Sequence, residues 1–189
     1  MAFLHKLPTW TRAGKLMCVV ESPRGSKAKF KYEPELGVFL LSRSLILGVN
    51  YPYDWGFIPS TKAPDGDPLD VMVFHDTPTY PGVVMECDVI GALLVTQKKS
   101  KGRAGREPNH RLFAVPAGSE RHKHETDARK LPTRVRKELE SFFIAVGLLA
   151  NKELKILEWA GPEAAEALVK DAELRWRHSP DGADGRRGR

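Results

Sequence analysis

Residues 83–95 read VVMECDVIGALLV, thirteen positions with two charged side chains, Glu86 and Asp88. So long a run of branched apolar residues predicts a strand. Gly91 near its middle predicts a bulge, or the bend at which a small barrel turns. Shorter runs of the same character lie on both sides: LMCVV (16–20), GVFLL (37–41), LDVMVF (69–74) and LFAV (112–115). SPRGS, APDGDP and YPG separate them, each supplying the glycine or proline a tight turn needs. Helical spacing appears only late. From Leu131 to about Leu148 the apolar positions Val135, Leu139, Phe142, Phe143 and Val146 recur at that spacing. Gly161-Pro162 then opens PEAAEALVKDAELRW, which aligns Ala165, Leu168, Val169, Ala172 and Trp176 on one face, with proline suited to the first turn. Strands first and helices last predict an α+β domain built on a closed or highly curved small sheet.

The chain has 189 residues, enough for one sizeable core. We expect a single domain over 1–177 and a disordered basic tail over 178–189, because HSPDGADGRRGR carries no apolar side chain beyond alanine. With 41% hydrophobic and 29% charged residues the composition is that of a globular protein. No apolar stretch approaches the roughly 20 residues of a membrane span, and the first ten residues lack the pattern of a secretory leader. A cytoplasmic location without membrane partners is the expectation. Cys18 and Cys87 sit inside apolar runs, so both are expected to be buried, reduced thiols. The net charge is +6, and 98–111 (KKSKGRAGREPNHR), with six basic residues and one acid, accounts for most of it. One basic loop is a weaker sign of nucleic-acid binding than a basic face, and nucleic acid is not the expected partner.

The densest chemistry lies at 65–70, DGDPLD, three aspartates in six positions. In extended chain Asp65 and Asp67 project to one side, and Asp70 follows at the start of the next strand. Carboxylate oxygens in that number suit Mg²⁺, although a solvated turn reads the same way. The spacing does not fit a calcium helix-loop-helix site, which needs a later glutamate. Upstream, NYPYDWGFIP (50–59) alternates Tyr51, Tyr53 and Trp55, as an extended segment lining a pocket would. Trp55 and Phe57 are better read as core, and the Tyr51 hydroxyl suits a phosphate oxygen. KAKFKYE (27–33) places lysines at alternate positions, and Lys31 with Arg43 forms a pair of candidate anion donors.

Taken in order, Glu21, K-Y-E (31–33), Arg43, Y-P-x-x-x-G-F-I-P (51–59) and D-G-D-P-L-D-V (65–71) resemble the soluble family I inorganic pyrophosphatases. P-G-V-V (81–84), F-A-V-P (113–116), K-L-P (130–132), S-F-F (141–143) and E-W-x-G-x-E-A-A (158–165) continue the resemblance, which covers roughly residues 16–172. It implies a five-stranded, OB-like barrel flanked by C-terminal helices, and Mg²⁺-dependent hydrolysis of pyrophosphate to two phosphates, with Mn²⁺ a possible substitute. It implies Asp65 and Asp70 as metal ligands and Asp67 as both ligand and acceptor of the attacking water's proton. Lys31, Arg43, Tyr51 and Arg111 would hold phosphate oxygens, and Glu21 and Glu33 would belong to the surrounding polar shell. A homo-oligomer, commonly a hexamer, is the quaternary state the resemblance implies.

Several positions depart from the family pattern. Gln97 and Asn109 stand where two aspartates are expected, with Glu107 a candidate replacement carboxylate. Arg111 stands for a lysine, Trp55 for a tyrosine, and Val146-Gly147 for a tyrosine-lysine pair. An amide oxygen offers a metal a dipole where a carboxylate offers a charge. Two readings follow: a pyrophosphatase slowed by these replacements, or a catalytically degenerate relative that binds phosphate-type anions or a partner without turnover. Nucleic-acid binding through 98–111 is a third, and it predicts affinity falling steeply with salt.

Overall fold

The computed structural model describes residues 3–77, 79–99, 104–180 and 182. In chain order the elements are β1 (Leu16–Ser22), β2 (Ala28–Glu33), β3 (Val38–Ser44), β4 (Asp54–Ile58), β5 (Leu69–Val73), β6 (Val84–Lys98), β7 (Arg106–Pro108), β8 (Arg111–Pro116), α1 (Thr133–Leu149), β9 (Lys155–Ala160) and α2 (Pro162–Arg177). Short 3-10 turns form at Leu4–Lys6 and Ala128–Lys130.

The long apolar run is β6, and it organises the sheet. Its first residues pair with β1, its middle with β8 and its last third with β9 and β7. Since β1 pairs β4, β4 pairs β5 and β5 pairs β8, five strands close into a ring in the order β1-β4-β5-β8-β6. Every pairing in it is antiparallel except β5–β8, which is parallel. The register with β8 shifts between Val89 and Gly91, where the sheet bends as predicted. Gly91 has φ +148°, and a Cβ there would lie 2.4 Å from the Ala160 carbonyl oxygen and 2.7 Å from the Ala128 Cβ. Only glycine fits that crossing. Gly56 serves the other side of the ring, where a Cβ would come within 1.8 Å of the Val19 carbonyl oxygen.

Period-two alternation sorts the ring strands into two cores. Leu69, Val71 and Val73 of β5 and Leu112 and Ala114 of β8 join Leu16, Cys18, Ile58 and Cys87 in one cluster, which α2 completes with Ala165, Val169 and Ala172. Met72, Phe74, Phe113 and Val115 point into a second cluster, covered by Leu139 and Phe143 of α1. Both cysteines are buried free thiols, as expected.

The segment around Trp55 forms the buried ring strand β4, with Trp55 and Phe57 in the core as expected. Sequence and structure differ in two places. Residues 155–160, assigned no element from periodicity, form β9 against β6. Helix α1 starts at Thr133, because Pro132 occupies its N-cap with an extended backbone. Of the expected tail, residues 181 and 183–189 lie outside the described residues, as do 100–103 of the basic loop. Among the described residues no helix is long and apolar enough to cross a membrane.

Candidate active site

The acidic turn joins β4 to β5, and its shape is set locally. The Thr61 hydroxyl donates to the Ile58 carbonyl at 2.6 Å and accepts the Leu69 N–H at 3.0 Å, which ties the two ends together. The Ala63 N–H donates to the Asp67 carbonyl at 2.7 Å, and Gly66 sits at φ +95°, the left-handed conformation that favours glycine. The three carboxylates are thereby fixed at the edge of the ring, each with its own partner.

Asp67 accepts from Lys31 Nζ at 3.0 Å. Asp65 accepts from Asn109 Nδ2 at 2.8 Å and from Gln97 Nε2 at 3.4 Å. Asp70 pairs with the Arg111 guanidinium, which also donates to Asn109 Oδ1. The same guanidinium lies 5.4 Å from the Trp55 ring centre and 5.9 Å from that of Phe143, held by aromatic faces as well as by charge. The Gln97 amide bridges outward to Glu107 Oε1 at 3.3 Å, so the candidate replacement carboxylate does reach this network.

Two cavities meet at the turn. One, of about 100 Å³, is lined by Lys29, Arg43, Tyr51, Trp55, Asp65, Asp67, Asp70, Asn109 and Arg111, with Phe142, Phe143, Val146, Gly147 and Leu154 as its apolar wall. The other, of about 360 Å³, is lined by Glu21, Lys31, Glu33 and Phe57 among others. Lys29, Asp67 and Asp70 line both. Of the residues singled out in the sequence, Arg43, Tyr51, Arg111 and the three aspartates therefore converge on the smaller cavity. Glu21, Lys31 and Glu33 face its neighbour.

Burial shapes the titration of this region. It pushes the Glu21 carboxyl up from 4.5 to about 7, against the Tyr32 N–H that donates to it at 2.7 Å and the charge of Lys29. Burial, then the carboxylates of Asp70 and Asp67, raise the Asp65 carboxyl above its ordinary range. Burial lowers the Lys29 ammonium. For Lys31 burial also lowers, but the hydrogen bond and charge of Asp67 outweigh it and the net shift is upward. Burial raises the Tyr51 hydroxyl strongly.

A hard divalent cation fits the carboxylate oxygens of Asp65, Asp67 and Asp70, because burial and then the charges of Asp70 and Asp67 oppose ionisation of Asp65 and a cation would offset both. Beside it, Gln97 is wholly buried and its Oε1 has no hydrogen-bond partner among the described residues, an acceptor left unsatisfied. No group of three acidic, histidine or cysteine side chains among the described residues is already gathered at ligand spacing. The carboxylates are instead held apart by Lys31, Asn109 and Arg111.

Two residues beyond those expected line the smaller cavity, Lys29 and Lys152. KAKFKYE carries Lys29 and Lys31 at alternate positions, and alternation alone does not choose between them. Lys152 lines the smaller cavity from the turn after α1, whose carbonyl at 152 accepts the Lys98 N–H at 2.7 Å. No local pattern announces that return of the chain.

The family model described as inorganic pyrophosphatase matches residues 18–177. The inorganic pyrophosphatase of Thermus thermophilus is 38% identical over 181 residues, covering 94% of this chain and 99% of that protein. That of Synechocystis is 35% identical over 168 residues, 89% and 95% of the two chains. The crystal structure of the T. thermophilus protein superposes with a TM-score of 0.83 at 36% identity, covering 93% of this chain and 99% of that one. An inorganic pyrophosphatase from Neisseria gonorrhoeae superposes with a TM-score of 0.77 at 29% identity, over 87% and 92%.

Proposed function

The chain belongs to the inorganic pyrophosphatase family, and we propose that it hydrolyses pyrophosphate to two phosphates at the junction of the acidic turn with the β2–β3 hairpin. The observation that carries this reading is the convergence of Asp65, Asp67 and Asp70 with Lys29, Arg43 and Arg111 on one small cavity. Carboxylates alone would repel the substrate, and cations alone would hold it without activating water.

In the reaction a water oxygen attacks one phosphorus, the bridging P–O bond breaks, and the bridging oxygen leaves on the second phosphate. Asp67 Oδ takes the water's proton. Arg43, Arg111 and the Tyr51 hydroxyl hold phosphate oxygens and keep the bridge in line with the attack. Lys31, bound to Asp67 in the free protein, turns to the substrate when Asp67 receives the proton. Glu21 and Glu33 form the polar rim of the adjoining cavity. Asp65, Asp67 and Asp70 would hold Mg²⁺, with Mn²⁺ as a substitute. When bound, the ion supplies a lowered water pKa and neutralises phosphoryl charge.

Gln97 and Asn109 reduce the negative charge around Asp65, so we place metal affinity and turnover below those of a site with two further carboxylates. A degenerate, anion-binding protein is the second reading, favoured by Val146 and Gly147, which give the cavity an apolar wall. We place the chain in the cytoplasm as a homo-oligomer, with the hexamer as the expected state. The exposed apolar residues of the β3 region, Leu40, Leu41 and a 98% exposed Leu47, support self-association. Phosphate release from pyrophosphate with Mg²⁺, parent against Asp67→Asn, tests the function. Turnover in the parent lost in the variant is expected. Turnover that survives in Asp67→Asn removes Asp67 as the base, and none in either leaves the anion-binding reading.

A further inference from the structure

Each carboxylate of the acidic turn is held by a different kind of partner, and the holds differ in firmness. Asp70 pairs with Arg111, whose side chain is 9% exposed and whose guanidinium also donates to Asn109 Oδ1 and lies against the rings of Trp55 and Phe143. Asp65 is held by the uncharged amides of Asn109 and Gln97. Asp67 meets Lys31 Nζ at 3.0 Å, in a pair whose side chains are 50% and 58% exposed. Such a pair is worth little, because water competes for both charges. Strands β2 and β3 pair with Lys29 opposite Arg43, and the register shift between Lys29 and Phe30 leaves Lys31 opposite Leu40. The Tyr32 N–H, donating to Glu21 at 2.7 Å, fixes the strand beside it, so Lys31 reaches Asp67 with its flexible stem alone. Of the three aspartates, Asp67 carries the charged partner most easily displaced.

We infer that Lys31 is an internal counter-ion that competes with the divalent cation for Asp67, so that the ion binds by displacing it. The inference rests on the reading that the turn holds Mg²⁺. Lys31 lines the larger cavity, Asp65 the smaller, and Asp67 both. The ammonium and an ion beside Asp65 thus come to Asp67 from different sides and claim the same negative charge. With Lys31 in place one unit of the turn's charge is already neutralised, and the two positive charges would repel. Arg111 cannot withdraw in the same way, because its hold is buried and shared among several partners. Lys31 is therefore a positioning residue that sets metal affinity through Asp67, and its release begins with the ion's arrival, before any proton moves.

The test titrates Mg²⁺ calorimetrically, without phosphate or pyrophosphate, into the parent, Lys31→Met, Lys31→Arg, Asp67→Asn and the Lys31→Met/Asp67→Asn double variant. Thermal unfolding in chelator shows whether each is folded, and Lys31→Gln takes the place of Lys31→Met should that variant not fold. Loss of the competing charge predicts Mg²⁺ affinity about 3- to 10-fold higher in Lys31→Met, with Lys31→Arg near the parent. Where Asp67 is already Asn there is no carboxylate to release, and the gain from Lys31→Met should largely vanish. Mg²⁺ affinity in Lys31→Met equal to or below the parent's overturns the inference. So does a gain just as large in the Asp67→Asn background, which would be repulsion at a distance. No Mg²⁺ uptake by either the parent or Lys31→Met overturns it together with the metal reading of the turn. Metal binding is read without turnover. A gain in Mg²⁺ affinity in a protein that leaves pyrophosphate intact therefore keeps this inference while ending the hydrolytic reading.

Discussion

Replacing Glu21 by Gln should make the protein more stable above neutral pH and leave it unchanged in acid. Glu21 lies at the end of β1, 7% exposed, and its carboxyl accepts the Tyr32 N–H at 2.7 Å, a bond the glutamine oxygen can keep. Burial raises its pKa from 4.5 to about 7. The folded chain thus holds the proton more tightly than the unfolded chain. The stability this adds is fully present below pH 4.5 and is lost as pH climbs through 7. At roughly 1.4 kcal/mol per pKa unit, the ionised carboxylate costs the fold about 3 kcal/mol at pH 8 and above. Glutamine has no such cost, and for a domain of this size the gain corresponds to about 6–12 °C in Tm. Urea unfolding of parent and variant between pH 4.5 and 9, in chelator and without phosphate, isolates the effect, because every other titration cancels in the difference. A difference that grows from near zero to about 3 kcal/mol across that range is expected. A difference independent of pH, or a variant less stable at pH 8, would refute the claim that burial governs Glu21.

Gly56→Ala puts a methyl group into the Val19 carbonyl at the β1–β4 seam; we expect a loss of about 3 kcal/mol or more by urea unfolding, whereas an unperturbed midpoint would mean the seam is looser than described. Gln97→Asp returns a carboxylate beside Asp65, whose Oδ2 is 3.4 Å from the present amide. Metal-free, that variant should be less stable than the parent, and saturating Mg²⁺ should raise its Tm by more than it raises the parent's. Equal Mg²⁺ shifts in the two proteins would show that position 97 lies outside the metal's reach.

The barrel was legible because its critical residues announce themselves locally. A glycine inside a thirteen-residue apolar run has few explanations, and Gly91 takes the expected one at the bend beside Ala160. Strand β9 was not legible. KILEWA mixes lysine and glutamate into its apolar positions, and it becomes a strand only because β6 offers an edge. The acidic turn was found from charge density alone. The identity of the cation facing Arg43 depended on a one-residue register shift at Lys29, and alternation counted along a single strand cannot reveal a slip between two. Lys152 and the Gln97–Asp65 contact depend on chain returns from distant segments, for which the local sequence carries no signal.

The central claim is that the turn at Asp65–Asp70 and the cations facing it cut a phosphoanhydride with the help of a divalent ion. A phosphorus NMR time course of pyrophosphate with the parent protein and Mg²⁺, repeated with excess chelator, tests it most directly. The account predicts that the pyrophosphate signal converts to inorganic phosphate with Mg²⁺ and persists in chelator. A pyrophosphate signal unchanged in both, or conversion at the same rate in both, would contradict it.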